Sequence, residues 1–191
     1  MAWLRTMAAM LLLGALSAAP DSPLERAAFA ETAPDFTLRD LQGKEVTLSG
    51  LKGKVVVMSF WATWCGPCKE EMPHLFEMYK KHGEQGLVVL SISTDDARSA
   101  SKVKPFIMKM GYTFPVLLDR ESTVVGTYNP SKTLPYTVVV DRQGNVAHRA
   151  TGYNPGDEVA LEQKLLPLLA AAPAAPAAPA APAAPAAPVA P

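Results

Sequence analysis

Val55-Val56-Val57-Met58-Ser59-Phe60-Trp61 runs directly into Ala62-Thr63-Trp64-Cys65-Gly66-Pro67-Cys68, and the architecture can be built outward from this stretch. The first seven residues are apolar except for Ser59. Such a short, valine-rich run is the pattern of a strand buried on both faces. Beyond Cys68 the period changes. Met72, Leu75, Phe76 and Tyr79 fall at i, i+3, i+4 and i+7, which is one face of a helix. A second apolar run covers residues 87–92. A strand, a helix and a second buried strand imply a right-handed crossover and a parallel pair.

On the N-terminal side, Asp35-Phe36-Thr37-Leu38 and Val46-Thr47-Leu48 flank Gln42-Gly43-Lys44, the pattern of a β-hairpin. On the C-terminal side, Val103, Phe106, Ile107 and Met110 predict a second helix, stopped by Gly111. Strands are expected at residues 114–118, 136–140 and 146–151, the last two joined by a turn at 141–145. Asn154, Pro155 and Asp157 suggest an N-cap, a first-turn proline and a near capping box. Leu161, Leu165, Leu168 and Leu169 then supply the apolar face of a closing helix, which Pro167 should kink or end near Leu166. The expected fold is an α/β sandwich over residues 34–169, a mixed sheet with helices on both faces.

The 18 basic and 18 acidic residues cancel, which argues against an electrostatic grip on nucleic acid. The two ends read differently from the body. Residues 1–19 read as a signal peptide or an N-terminal anchor. Arg5 precedes an apolar run at residues 7–19, shorter than the roughly 20 residues of a bilayer span. Cleavage would fall after the small residues at 17–19 or as late as Ala30, with residues 20–33 as a linker. Residues 170–191 repeat Ala-Ala-Pro with no charge. Proline at every third position forbids a helix and suits polyproline II, so this tail reads as a solvated spacer.

The chain has two cysteines, three residues apart, where a buried strand gives way to a helix. Cys65 would cap that helix, and Cys68, four residues before Met72, would face inward. The unpaired N–H groups and positive dipole end of a helix N-terminus stabilise a thiolate. Cys65 is therefore the expected attacking thiolate and Cys68 the resolving thiol. Three other readings compete. A structural disulfide closing so short a loop would add only about 2 kcal/mol. A zinc half-site would need two further soft ligands, and His74 falls on the opposite side of the helix, as a surface residue. Two unpaired buried thiols are the third. No metal or cofactor is expected.

The string at 64–68 is similar to the thioredoxin-superfamily active site. The wider pattern resembles the TlpA/ResA-like thiol–disulfide oxidoreductases with their AhpC/TSA-redoxin-like domain. The matching pieces are Ala33-Pro34-Asp35-Phe36, residues 60–73 through Lys69-Glu70-Glu71-Met72-Pro73, Phe114-Pro115-Val116-Leu117-Leu118-Asp119, and Leu134-Pro135-Tyr136-Thr137. The resemblance implies a thioredoxin-like fold with an N-terminal hairpin and an inserted helix, residues 101–110 here. It implies a cis-proline loop at Pro135, and a substrate groove formed by Trp64, Gly66, Pro67 and Leu134, with the Leu134 backbone pairing with substrate. The implied redox-active disulfide joins Cys65 and Cys68. The implied protein is a monomer in the periplasm or another extracytoplasmic compartment. It would reduce disulfides of exported proteins, apocytochromes c among the candidates, with electrons from a membrane thiol-transfer protein.

One position departs from the thioredoxin pattern. The buried aspartate that thioredoxins carry six residues before the first cysteine is Ser59 here. The resemblance points to a carboxylate after the next core strand instead. Asp95 and Asp96 are candidates, and Asp96 is the expected proton acceptor; capping the next helix or standing in solvent is the alternative for both. Among other functions, a disulfide oxidant or isomerase stands nearest. A peroxiredoxin-type peroxidase would need proline and threonine where Met58 and Ala62 stand, and a copper-delivery protein would need a cysteine at Lys69. A redox-inert adhesion domain would have no use for the cysteine pair.

Overall fold

The structure, a computed structural model, describes residues 31–171. The export-signal or anchor reading and most of the Ala/Pro tail concern residues outside that range. Seven strands form one mixed sheet in the order β2-β1-β5-β4-β3-β6-β7. They are β1 (Thr37–Asp40), β2 (Glu45–Thr47), β3 (Val55–Trp61), β4 (Leu87–Ser93), β5 (Val116–Leu118), β6 (Tyr136–Val140) and β7 (Val146–Thr151). The helices are α1 (Gly66–His82), α2 (Val103–Met110), α3 (Thr123–Tyr128) and α4 (Asp157–Ala170). β3, β4 and β5 run parallel to their neighbours in that set, while β6 lies antiparallel to β3 on the other side.

The side-chain period of two divides β3 between two cores. Val55, Val57 and Trp61 pack under α1, α2 and α4 with Met72, Leu75, Ile107, Leu161 and Leu165. Val56, Met58 and Phe60 face the other layer, which contains Leu48, Val124, Val125 and Tyr128. Burial on both faces is why this strand shows no polar alternation. β7, at the sheet edge, alternates half-buried and exposed residues, as one covered face requires.

Several local details differ from the sequence pattern; the strand expected at 114–118, for one, is confined to Val116–Leu118. Glu31–Ala33, read as the end of the linker, belong to the fold: Thr32 bridges Asn145, and Ala33 is buried. The short helix α3 had no visible period. It is nucleated by the buried Asp119, whose carboxylate accepts bonds from the Thr123, Val124 and Val125 N–H groups at its start. Asn154 does not cap α4. The N-cap is Gly156 at φ 105°, and the loop is tied by the Asp157 carboxylate accepting from the Asn154 N–H at 2.8 Å. Finally, α4 continues through Pro167 to Ala170. Leu165 and Leu169 are buried on either side of the proline, and Arg142 donates to the Leu169 carbonyl at 2.9 Å.

Arg142 is itself buried, and it also donates to the Gly53 and Gln85 carbonyls. Its guanidinium therefore ties the last turn of α4 to the loops before β3 and β4. Replacing it with methionine keeps much of the stem but leaves three carbonyls without their donor. We expect Arg142→Met to lower unfolding free energy by about 2 kcal/mol, with the Cys65 alkylation rate unchanged. Urea denaturation beside thiol alkylation checks both.

Candidate active site

The ends of three strands converge on one edge of the sheet. Phe60 pairs with Tyr136, and Trp61 with Ser93. The segment leaving β3 through Cys65, the loop after β4 carrying Asp95, and the Leu134–Pro135 segment entering β6 therefore occupy the same end. The Leu134–Pro135 peptide is cis.

Cys65 is the N-cap residue of α1, with extended backbone and Pro67 in the first turn. Pro67 suits that position because its missing N–H would have had no helical partner. The Cys65 sulfur accepts the Cys68 N–H at 3.2 Å, satisfying one of the free donors of the first turn. The two sulfurs are joined in a disulfide. Cys65 retains 6% of its surface in solvent and Cys68 none. The difference follows from the helix geometry: Cys68 lies on the same stripe as Met72 and Leu75. Trp64, 68% exposed, stands out beside the disulfide, with Gly66 and Pro67 also exposed and Leu134 half-buried.

Asp96 does not go where the sequence reading put it. It stands in solvent, and its Oδ1 accepts from the Arg98 and Ser99 N–H groups and from the Ser99 hydroxyl. The Ser99 hydroxyl and backbone bonds hold its carboxyl below the usual range, the opposite of the rise expected beside a buried thiol. It closes a surface turn, as the solvated alternative had it, while the N-cap of the next helical turn is Ser99. We expect Asp96→Asn to leave the pH profile of mixed-disulfide resolution superimposable on that of the parent, as stopped-flow measurement would show.

Its neighbour Asp95 is fully buried. Asp95 accepts the Thr63 N–H at 2.8 Å, the Thr63 hydroxyl at 2.6 Å and the Ser93 hydroxyl at 2.9 Å. These bonds anchor the loop two residues before Cys65 to the end of β4. The polarity that made both aspartates candidates is spent differently: one positions the loop and the other faces water.

The carboxylate that sequence reasoning missed is Glu71, buried on α1 three residues after Cys68. One of its oxygens accepts the Ser59 hydroxyl at 2.9 Å, the other the Thr137 hydroxyl at 2.8 Å. Ser59 and Thr137 are direct cross-strand partners on β3 and β6, so the two donors arrive as a pair. Burial pushes the Glu71 carboxyl above its usual range, against the lowering effect of those two bonds. Residues three apart share a helix face, so Glu71 and Cys68 lie along one side of α1. The signal was present in the sequence: an acidic residue on the stripe that carries Cys68, Met72 and Leu75. Ser59 is still part of the site, as a donor to the carboxylate and not as the base. His74, expected as a solvated residue, is half-buried and stacked on Tyr153 at 5.9 Å between ring centroids.

The comparisons agree with this geometry. Residues 29–149 match the AhpC/TSA family. The thiol–disulfide oxidoreductase ResA of Bacillus thuringiensis (strain Al Hakam) is 38% identical over 128 residues, 67% of this chain and 72% of the relative. ResA of Geobacillus thermodenitrificans is 37% identical over 153 residues, covering 78% and 86% of the two chains. A crystal structure from Chlorobium tepidum, described as a thiol:disulfide interchange protein DsbE, superposes with TM-score 0.68 at 32% identity, covering 73% of this chain and 96% of that one. A helix-capping Cys65, a buried Cys68 bonded to it and the three-layer sheet together make the chain a thiol–disulfide oxidoreductase, a ResA-like member of the AhpC/TSA family with a thioredoxin-like fold.

Proposed function

We propose that the protein reduces disulfides of exported proteins in an extracytoplasmic compartment. The observation that carries the reading is the asymmetry of the pair: Cys65 caps α1 and touches solvent, while Cys68 is sealed behind it. In the reduced protein, the Cys65 thiolate attacks one sulfur of the substrate disulfide. A mixed disulfide forms and the other substrate sulfur leaves as a thiolate. Cys68 then loses its proton and attacks the Cys65 sulfur, which releases the second substrate thiol. Two electrons pass to the substrate, and the Cys65–Cys68 disulfide is regenerated.

The resolving thiol gives its proton to Glu71, a buried carboxylate on its own helix. Exposed Trp64, Gly66 and Pro67, with Leu134, form the rim against which a substrate strand lies. Pro135 shapes that rim. The Gly66-Pro67 dipeptide and the ResA relatives favour the reductase direction. The apolar run at residues 7–19 favours export or an anchor, with a membrane thiol-transfer protein as electron donor. Apocytochromes c are candidate substrates, and the protein acts as a monomer.

Equilibration against glutathione or dithiothreitol buffers tests the direction. A reductase is expected nearer the thioredoxin potential of about −270 mV, an oxidant nearer about −120 mV. A value at the oxidising end would overturn the reductase reading and leave oxidant or isomerase activity.

A further inference from the structure

Glu71 must release its proton to solvent in every cycle, and the disulfide side offers a poor route. On that side the helix packs Cys68 and Met72 against Trp61 and Ala62 in an apolar cluster. The Ser59 and Thr137 hydroxyls are engaged as donors to the carboxylate.

A cavity of about 210 Å³ adjoins Glu71 on its other side, between α1, β6, β7 and α4. Glu71 and Thr137 form part of its wall, together with Ala150, the cross-strand partner of Thr137. His74 and Glu158 line both this cavity and a neighbouring depression formed with Glu77, Lys81 and Glu162. His74, half-buried, is the shared residue able to pass a proton from one ring nitrogen to the other.

We propose that this cavity is a water-filled proton exit for Glu71, with His74 as the relay in its wall. The proposal rests on Glu71 being the acceptor of the Cys68 proton. The volume accommodates several waters, each with a share of about 30 Å³, and the Glu71, Thr137 and Tyr153 oxygens supply the polar partners that such waters need. The Cys68 S–H bond breaks and an O–H bond forms on Glu71. That proton then passes through water to one nitrogen of His74, whose other nitrogen releases a proton to bulk. Nothing is oxidised or reduced in this step.

The charged surroundings suit a transient proton. Asp157 favours the protonated form of Glu71, and His74, once it carries the proton, favours the ionised form. Burial and Lys164 hold His148 below its usual range, so it faces the cavity as a neutral ring at neutral pH. The Tyr153 hydroxyl donates to Glu158, and burial together with that bond pushes its pKa up to about 12, so it keeps its proton throughout.

Ala150→Leu places three extra carbons in the cavity without touching the thiols, and Ala150→Ser keeps it polar. Mixed-disulfide resolution is followed by stopped flow against pH. Ala150→Leu is expected to slow resolution about tenfold at neutral pH with Cys65 alkylation unchanged, and Ala150→Ser to match the parent. His74→Ala should slow it similarly, and added imidazole should restore the rate. Parental resolution in Ala150→Leu, or a loss in His74→Ala that imidazole does not restore, overturns the exit route. Glu71→Gln separates the two claims. If it slows resolution while the cavity variants do not, the route alone falls. If it leaves the profile unchanged, the assignment of Glu71 as acceptor falls.

Discussion

Cys65→Ser should lose disulfide reduction by on the order of 10³-fold or more, because a hydroxyl at this helix cap has no general base to activate it. The thiolate is the attacking species in exchange, and serine forms none at working pH. Cys68→Ser should fail differently. Cys65 still attacks, but the mixed disulfide has no internal thiol to resolve it, so covalent enzyme–substrate adducts accumulate and are visible by non-reducing electrophoresis and mass spectrometry. The asymmetry follows from exposure: Cys65 keeps a solvent-facing edge and Cys68 keeps none. Iodoacetamide should label Cys65 first in the reduced protein at neutral pH. Faster labelling of Cys68 would reverse the two roles.

Glu71→Gln should slow the resolving step by about 10²-fold, within the range ordinary for a lost proton acceptor. The sign of the pH effect follows from the burial of the carboxyl. Because burial raises its pKa, the ionised, proton-accepting form appears only as pH climbs through that raised value. Resolution should rise over the same interval in the parent protein and lose that limb in the glutamine variant. Glutamine still offers an oxygen to Ser59 or Thr137, so the fold should survive. The initial attack by Cys65 should change much less. Stopped-flow fluorescence of exposed Trp64, recorded across pH for both proteins, measures the resolving step directly. Superimposable curves would remove Glu71 from the proton pathway.

The sequence alone determined the features that depend on neighbours along the chain. β3, β6 and β7 begin and end where their apolar or alternating runs do, and α2 stops at Gly111, which takes φ 70° as a helix-ending glycine should. The cysteine spacing at a strand-to-helix junction identified the reacting groups, since a helix cap and its first turn are local objects. The tertiary structure alone decided which carboxylate is buried on the helix that carries Cys68. The helical stripe of Cys68, Met72 and Leu75 marks Glu71 in the sequence, but nothing local says which partners take up Asp95, Asp96 and Glu71. Asp95 is taken up by Thr63, and Asp96 by Ser99 at the surface. Glu71 is sealed in by Ser59 and Thr137, two hydroxyls distant in sequence that strand pairing sets side by side. The ionisation of a carboxyl depends on how much water it loses and which donors face it. Both are set by long-range packing, which a local pattern of residues does not encode.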